Sequence, residues 1–149
     1  VEEVLNSMDE LSLTVRLPFT IRRSHVLAAA IGVAHAVVLL VYAFVLGRVQ
    51  VTLGGVEAAA ALVYTVSGMV LLAAVPAYLL IEYSLVPPVA VFALNLALLV
   101  RGELAASPDG ALAFQFVVWV VPFALVLLVG GVEYAVRRWL GAPPGPLLG

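Results

Sequence analysis

One run of residues constrains this chain more than any other feature. After the basic pair Arg22 and Arg23, the 21 residues from Val26 to Leu46 are apolar or small, with His35 as the one interruption. As an α-helix this run is about 31 Å long, which matches the thickness of a bilayer's hydrocarbon core. The sequence therefore predicts a membrane-spanning helix over 26–46.

The composition extends this prediction to the whole chain. Of its 149 residues, 64% are hydrophobic and 11% are charged, whereas soluble domains carry about a quarter charged residues. A net charge of −2 gives no electrostatic basis for binding nucleic acid. The absence of cysteine excludes disulfides and thiol catalysis. All seven cationic side chains are arginine, which favours a GC-rich, prokaryotic genome.

Three more apolar segments follow the first. They predict spans over 58–81, 85–100 and 111–135. Pro76 lies inside the second segment and Pro122 near the middle of the fourth, where a proline is expected to kink a helix. The predicted fold is an all-α integral membrane protein with four transmembrane helices in an up-down bundle.

The chain divides into three parts on this pattern. Residues 1–20 are predicted to form a short cytoplasmic amphipathic segment. Residues 21–140 hold the four-span membrane domain. Residues 141–149 are rich in proline and glycine, which is typical of a flexible tail.

The arginines predict how the bundle is oriented. Four spans place both termini on one side of the membrane. That side has five arginines close to the spans and the other side has two, namely Arg16, Arg22, Arg23, Arg137 and Arg138 against Arg48 and Arg101. Because basic residues favour the cytoplasmic side, we expect a plasma-membrane protein with both termini in the cytoplasm.

Polar residues near the middle of the spans are the first candidate site. His35 lies at the centre of the first span, Asn95 near the middle of the third, and Ser67 at a similar depth in the second. Such groups are costly in lipid. They could relay protons or a solute, or they could hold the helices together by hydrogen bonds. The structural interpretation is favoured because His35 is the one titratable group at this depth.

The cytoplasmic boundary of the bundle carries the second candidate site. Glu82 and Glu133 end the second and fourth spans, with His25 at the same level and Arg137 four residues after Glu133. Two carboxylates could act as an acid/base pair or bind a divalent cation. Interfacial ion pairs that fix helix ends are commoner. We therefore predict ion pairs here, and neither a catalytic nor a metal site.

No motif in the sequence names an activity. It contains no phosphate loop, zinc-protease helix or nucleophile elbow. His25 and His35 are ten residues apart on one helix, an arrangement that does not suit haem. The chain is thus expected to be no enzyme and to bind no cofactor.

The favoured function is a non-catalytic accessory or interaction subunit, held in the lipid bilayer beside a protein partner or further copies of itself. The alternative is a small proton-coupled or solute carrier that uses His35 and Asn95. A membrane enzyme built on Glu82, Glu133 and His25 comes third.

Overall fold

The computed structural model describes residues 22–45, 55–105, 111–142 and 145–147. These residues form five helices and no strand, namely α1 (Arg23–Val45), α2 (Gly55–Tyr83), α3 (Pro87–Leu104), α4 (Ala111–Val118) and α5 (Val120–Trp139). The amphipathic segment predicted for residues 1–20 lies outside the described residues.

Four of these helices, α1, α2, α3 and α5, are long and apolar enough to cross a membrane. The prediction of an all-helical chain with four such helices is therefore confirmed. For the first three helices the bounds differ from the predicted ones by a few residues. Among these three the third differs most, because its 18 residues continue through Arg101 and Glu103, whereas the predicted span stops at Val100. The up-down order and the side on which the termini lie stay predictions.

The fourth apolar segment, predicted as a single helix over 111–135, is interrupted at one residue. α4 ends at Val118 and α5 starts at Val120, while Trp119 between them keeps right-handed helical dihedrals, with φ −53° and ψ −24°. Pro122 has no backbone N–H, so it cannot donate to the carbonyl of Val118 as a helical residue would. The helical series of backbone hydrogen bonds resumes one residue later, where the N–H of Phe123 donates to the Trp119 carbonyl at 3.1 Å. α2 behaves differently and continues for 29 residues with Pro76 inside it.

α2 lies at the centre of the packing. It contacts α1, α3, α4 and α5, whereas α1 packs mainly against α2, and α3 packs against both α2 and α5. The buried core is small, and its central cluster is formed by Ala36, Leu39, Ala43, Met69 and Leu99. Most large apolar side chains on the spans are exposed. A surface of this kind suits lipid rather than water.

Small residues bring α1 and α2 close together. The buried face of α1 includes residues spaced four apart, namely Ser24, Ala28, Gly32 and Ala36. A Cβ atom on Gly32 would lie 2.6 Å from the Val70 carbonyl oxygen and 2.8 Å from the Ala74 Cβ. Only glycine therefore permits this approach. The small-residue face of α1 is therefore the face that packs against α2.

The corner between α2 and α3 also holds part of the C-terminal tail. Ser84 ends α2 with a positive φ of 54°, and its N–H donates to the Leu80 carbonyl at 2.9 Å. The Ser84 hydroxyl donates to the carbonyl of Gly145 at 2.7 Å. The N–H of Leu147 donates to the Ile81 carbonyl at 2.9 Å. Residues 145–147 thus lie against the end of α2.

Candidate functional site

His35 lies at the middle of α1 and faces the other helices. Its ring meets Phe92 of α3 edge-on, with the ring centroids 5.2 Å apart. Its Nε2 atom is buried and has no hydrogen-bond partner in the described part of the chain.

Two further polar side chains reach the same place from the fourth segment. Gln115 of α4 and Trp119, between α4 and α5, each have a buried side-chain nitrogen that finds no hydrogen-bond partner among the described residues. With His35 and Thr65 they line one cavity of about 10 Å³, here called the inner cavity. Its remaining walls are apolar and are formed by Leu39, Met69, Leu72 and Phe116.

Side chains of α2 hold Trp119 in position. A Cβ atom on Gly68 would lie 2.4 Å from the indole ring, so the ring occupies the space that a side chain at 68 would need. Tyr64 packs against the indole with ring centroids 5.3 Å apart. The Tyr64 hydroxyl donates to the carbonyl of Val117 at 3.0 Å. The break in the fourth segment is therefore supported by a hydrogen bond and a ring contact from α2.

The size of the inner cavity decides what it can do. A buried polar atom without a partner costs about 1–3 kcal/mol, and a cavity of about 10 Å³ is near the smallest that holds one water molecule. A water there can accept hydrogen bonds from the N–H groups of Trp119 and Gln115 and donate one to His35. The arrangement suits a hydrogen-bonded junction between helices, with no room for an organic solute.

The predicted mid-bilayer layer is only partly brought together. Asn95 is half-buried near the middle of α3, one turn after Phe92. Among the described residues its amide has no hydrogen-bond partner, and no hydrogen bond joins it to His35. Ser67 lies on the exposed side of α2, next to the buried Gly68. A role for His35, Asn95 and Ser67 as one layer stays a prediction.

Gln115 and Trp119 were not among the predicted site residues. The signal for Gln115 was present, because it is the one strongly polar side chain between Ala111 and Val121. An amide inside an apolar span raises the same question as His35 or Asn95. Trp119 gave no such signal, since a tryptophan within an apolar span is expected to pack through its large apolar ring.

Glu82 and Glu133, the two carboxylates predicted at the cytoplasmic boundary, each form an ion pair with an arginine. Glu82 accepts a hydrogen bond from Nη1 of Arg22 at 2.7 Å, which ties the end of α2 to the start of α1. Glu133 accepts from Arg137, as their spacing of four residues favours. The Glu133 side chain is 14% exposed, and its Oε2 atom is buried with no partner from the residues that the structure describes. This pair is therefore more buried than an ordinary interfacial one.

His25 joins a row of aromatic rings, and its imidazole also lies near enough to Glu82 for an electrostatic interaction. It stacks on Tyr78 with centroids 5.2 Å apart. Tyr83 meets Tyr78 and Tyr134 edge-on, at 5.9 and 6.0 Å. The row links α1, α2 and α5 at this end of the bundle. In the part of the chain that the structure describes, no group of three or more His, Cys, Asp or Glu residues is placed to hold a metal ion.

The chain matches no protein-family model, no curated protein and no solved structure.

Proposed function

We propose that this chain is a non-catalytic accessory or interaction subunit of a membrane complex, located in the plasma membrane with both termini in the cytoplasm. The proposal depends on one observation, which concerns the side-chain amide of Asn95. It lies near the middle of a membrane-spanning helix and has no hydrogen-bond partner among the described residues.

An amide in this position needs a partner from outside the described bundle. Moving an amide from water into an apolar medium without a hydrogen bond costs roughly 2–7 kcal/mol. Lipid tails offer neither donors nor acceptors. A transmembrane helix of another protein, with a hydroxyl, amide or imidazole at the same depth, would supply both. Asn95 therefore favours contact with such a helix.

The carrier alternative has less support. It depends on His35 and Asn95 acting together, and the described structure forms no hydrogen bond between them. The inner cavity beside His35, at about 10 Å³, has room for one water only. An enzyme is supported still less, because Glu82 and Glu133 are both paired with arginines.

Purification of the full chain from its native membrane in a mild detergent tests the proposal. We expect one other protein at a fixed stoichiometry, and Asn95→Leu should reduce its recovery about tenfold, as a loss of about 1.4 kcal/mol of binding free energy would. Ser67→Ala is the matched control, because it removes a polar group from an exposed position of α2. It should leave recovery unchanged. A chain that purifies alone, or only with copies of itself, would contradict the proposal.

A further inference from the structure

A second and larger cavity lies where α1 begins, α2 ends and the C-terminal tail folds back. Its volume is about 710 Å³, which falls within the usual range for ligand sites. Its lining includes Arg22, Arg23, Leu27, Ile81, Glu82 and Leu147. We call it the rim cavity.

Counting the residues that the structure describes, the polar part of the rim cavity has a net positive charge, because two arginines face one carboxylate. Arg22 donates one of its N–H groups to Glu82 and keeps others, since a guanidinium has five. Its side chain is 69% exposed. Arg23 is exposed and makes no ion pair or hydrogen bond with any described residue. It also starts α1, so the positive end of a 23-residue helix dipole adds to the field.

The other wall of the rim cavity is apolar. Leu27 lies one turn further along α1 and is 44% exposed. Leu147 is 55% exposed and is held there by the hydrogen bond from its N–H to the Ile81 carbonyl. The tail thus adds an apolar side chain beside two guanidinium groups. The rim cavity thus has a cationic wall beside an apolar wall, at the end of the membrane-spanning helices. A phospholipid likewise has a phosphate headgroup beside apolar acyl chains.

We propose that the rim cavity binds an anionic phospholipid, with its phosphate on Arg22 and Arg23 and the start of its acyl chains against Leu27 and Leu147. Guanidinium groups bind phosphate by paired hydrogen bonds. Basic pockets between helices at the membrane surface bind anionic headgroups. Glu82 holds Arg22 in place and leaves one net positive charge among the described lining residues, which fits a singly charged headgroup such as phosphatidylglycerol. This site is independent of the contact proposed for Asn95.

The test is lipid binding to the full chain in detergent micelles, measured by native mass spectrometry. Dioleoyl phosphatidylglycerol should bind several-fold more tightly than dioleoyl phosphatidylcholine. Arg23→Gln should reduce this preference about fivefold, the effect of one basic residue near an anionic surface. Arg138→Gln is the matched control, because Arg138 is an exposed arginine at the end of α5 that does not line the rim cavity. It should keep the preference.

Two further measurements test the site without relying on Arg23→Gln. Leu147→Ser leaves the charges intact, and it should weaken the binding of phosphatidylglycerol. Inorganic phosphate at the same concentration should not displace the lipid. Equal binding of the two lipids by the unaltered chain, an equal loss in both arginine variants, unchanged binding in Leu147→Ser, or displacement by inorganic phosphate would each overturn it.

Discussion

Gly68 and Gly131 both lie inside membrane-spanning helices, yet their surroundings differ completely. At Gly68 a Cβ atom would lie within 2.4–2.5 Å of three atoms of the Trp119 indole. At Gly131 the same atom would meet nothing within 4 Å. The first glycine makes room for a side chain of the inner cavity, and the second has no such contact. Their different surroundings predict opposite responses to the same substitution.

Gly68→Ala should lower the free energy of unfolding by about 1–3 kcal/mol, because the indole or the helix must shift. Gly131→Ala should be neutral, or stabilising by up to about 1 kcal/mol through helix propensity. Denaturant unfolding in detergent, followed by tryptophan fluorescence, measures both. Equal changes in the two variants would show that Trp119 does not occupy the space beside Gly68.

The depth of the polar residues could be predicted from the sequence, and their neighbours could not. His35 is central in both the predicted span and α1. Which residues it meets depends on how each helix is rotated about its axis. The spans are apolar on nearly all sides, so their periodicity does not reveal that rotation. It is set by close contacts such as Gly32 with Val70 and Gly68 with Trp119.

Among the elements, the fourth apolar segment departs most from prediction. Its two helices meet at Trp119, and a hydroxyl from α2 donates to the Val117 carbonyl one turn before Pro122. The sequence indicated a disturbance near Pro122, because proline removes a donor. It did not indicate that the helix would be interrupted, because a proline alone does not require an interruption. α2 contains Pro76 and continues through it. The outcome depends on contacts from neighbouring helices.

Tyr64→Phe should therefore loosen the junction between α4 and α5. Removing the hydroxyl leaves the Val117 carbonyl without that donor and should cost about 0.5–1.5 kcal/mol of unfolding free energy. Amide hydrogen exchange around residues 117–121 should become faster. The control is Tyr134→Phe, because the Tyr134 hydroxyl makes no hydrogen bond with a described residue. If exchange at 117–121 is unchanged in Tyr64→Phe, this hydrogen bond does not support the break.

At the scale of the whole molecule, the bundle leaves most of its membrane-spanning surface uncovered. Only 11% of the most apolar part of α3 is buried, against 28% for α1. Lipid suits an apolar surface of this kind, but it cannot satisfy the amide of Asn95. The number and character of the spans followed from composition and apolar length. Whether lipid or a partner helix contacts the exposed surface of these spans could not be predicted, because both kinds of contact use apolar side chains.

Crosslinking from α3 in native membranes tests the central proposal most directly. The chain has no cysteine, so a photoreactive label on Leu98→Cys is unique. Leu98 is 57% exposed and lies three residues after Asn95. Val33 on α1, 53% exposed, is the matched control position. We expect Leu98→Cys to give one product of defined mass with a different protein, which disappears when Asn95→Leu is added, and Val33→Cys to give none. No product, a product between copies of this chain alone, equal products from both positions, or a product that persists with Asn95→Leu would contradict a role as an interaction subunit.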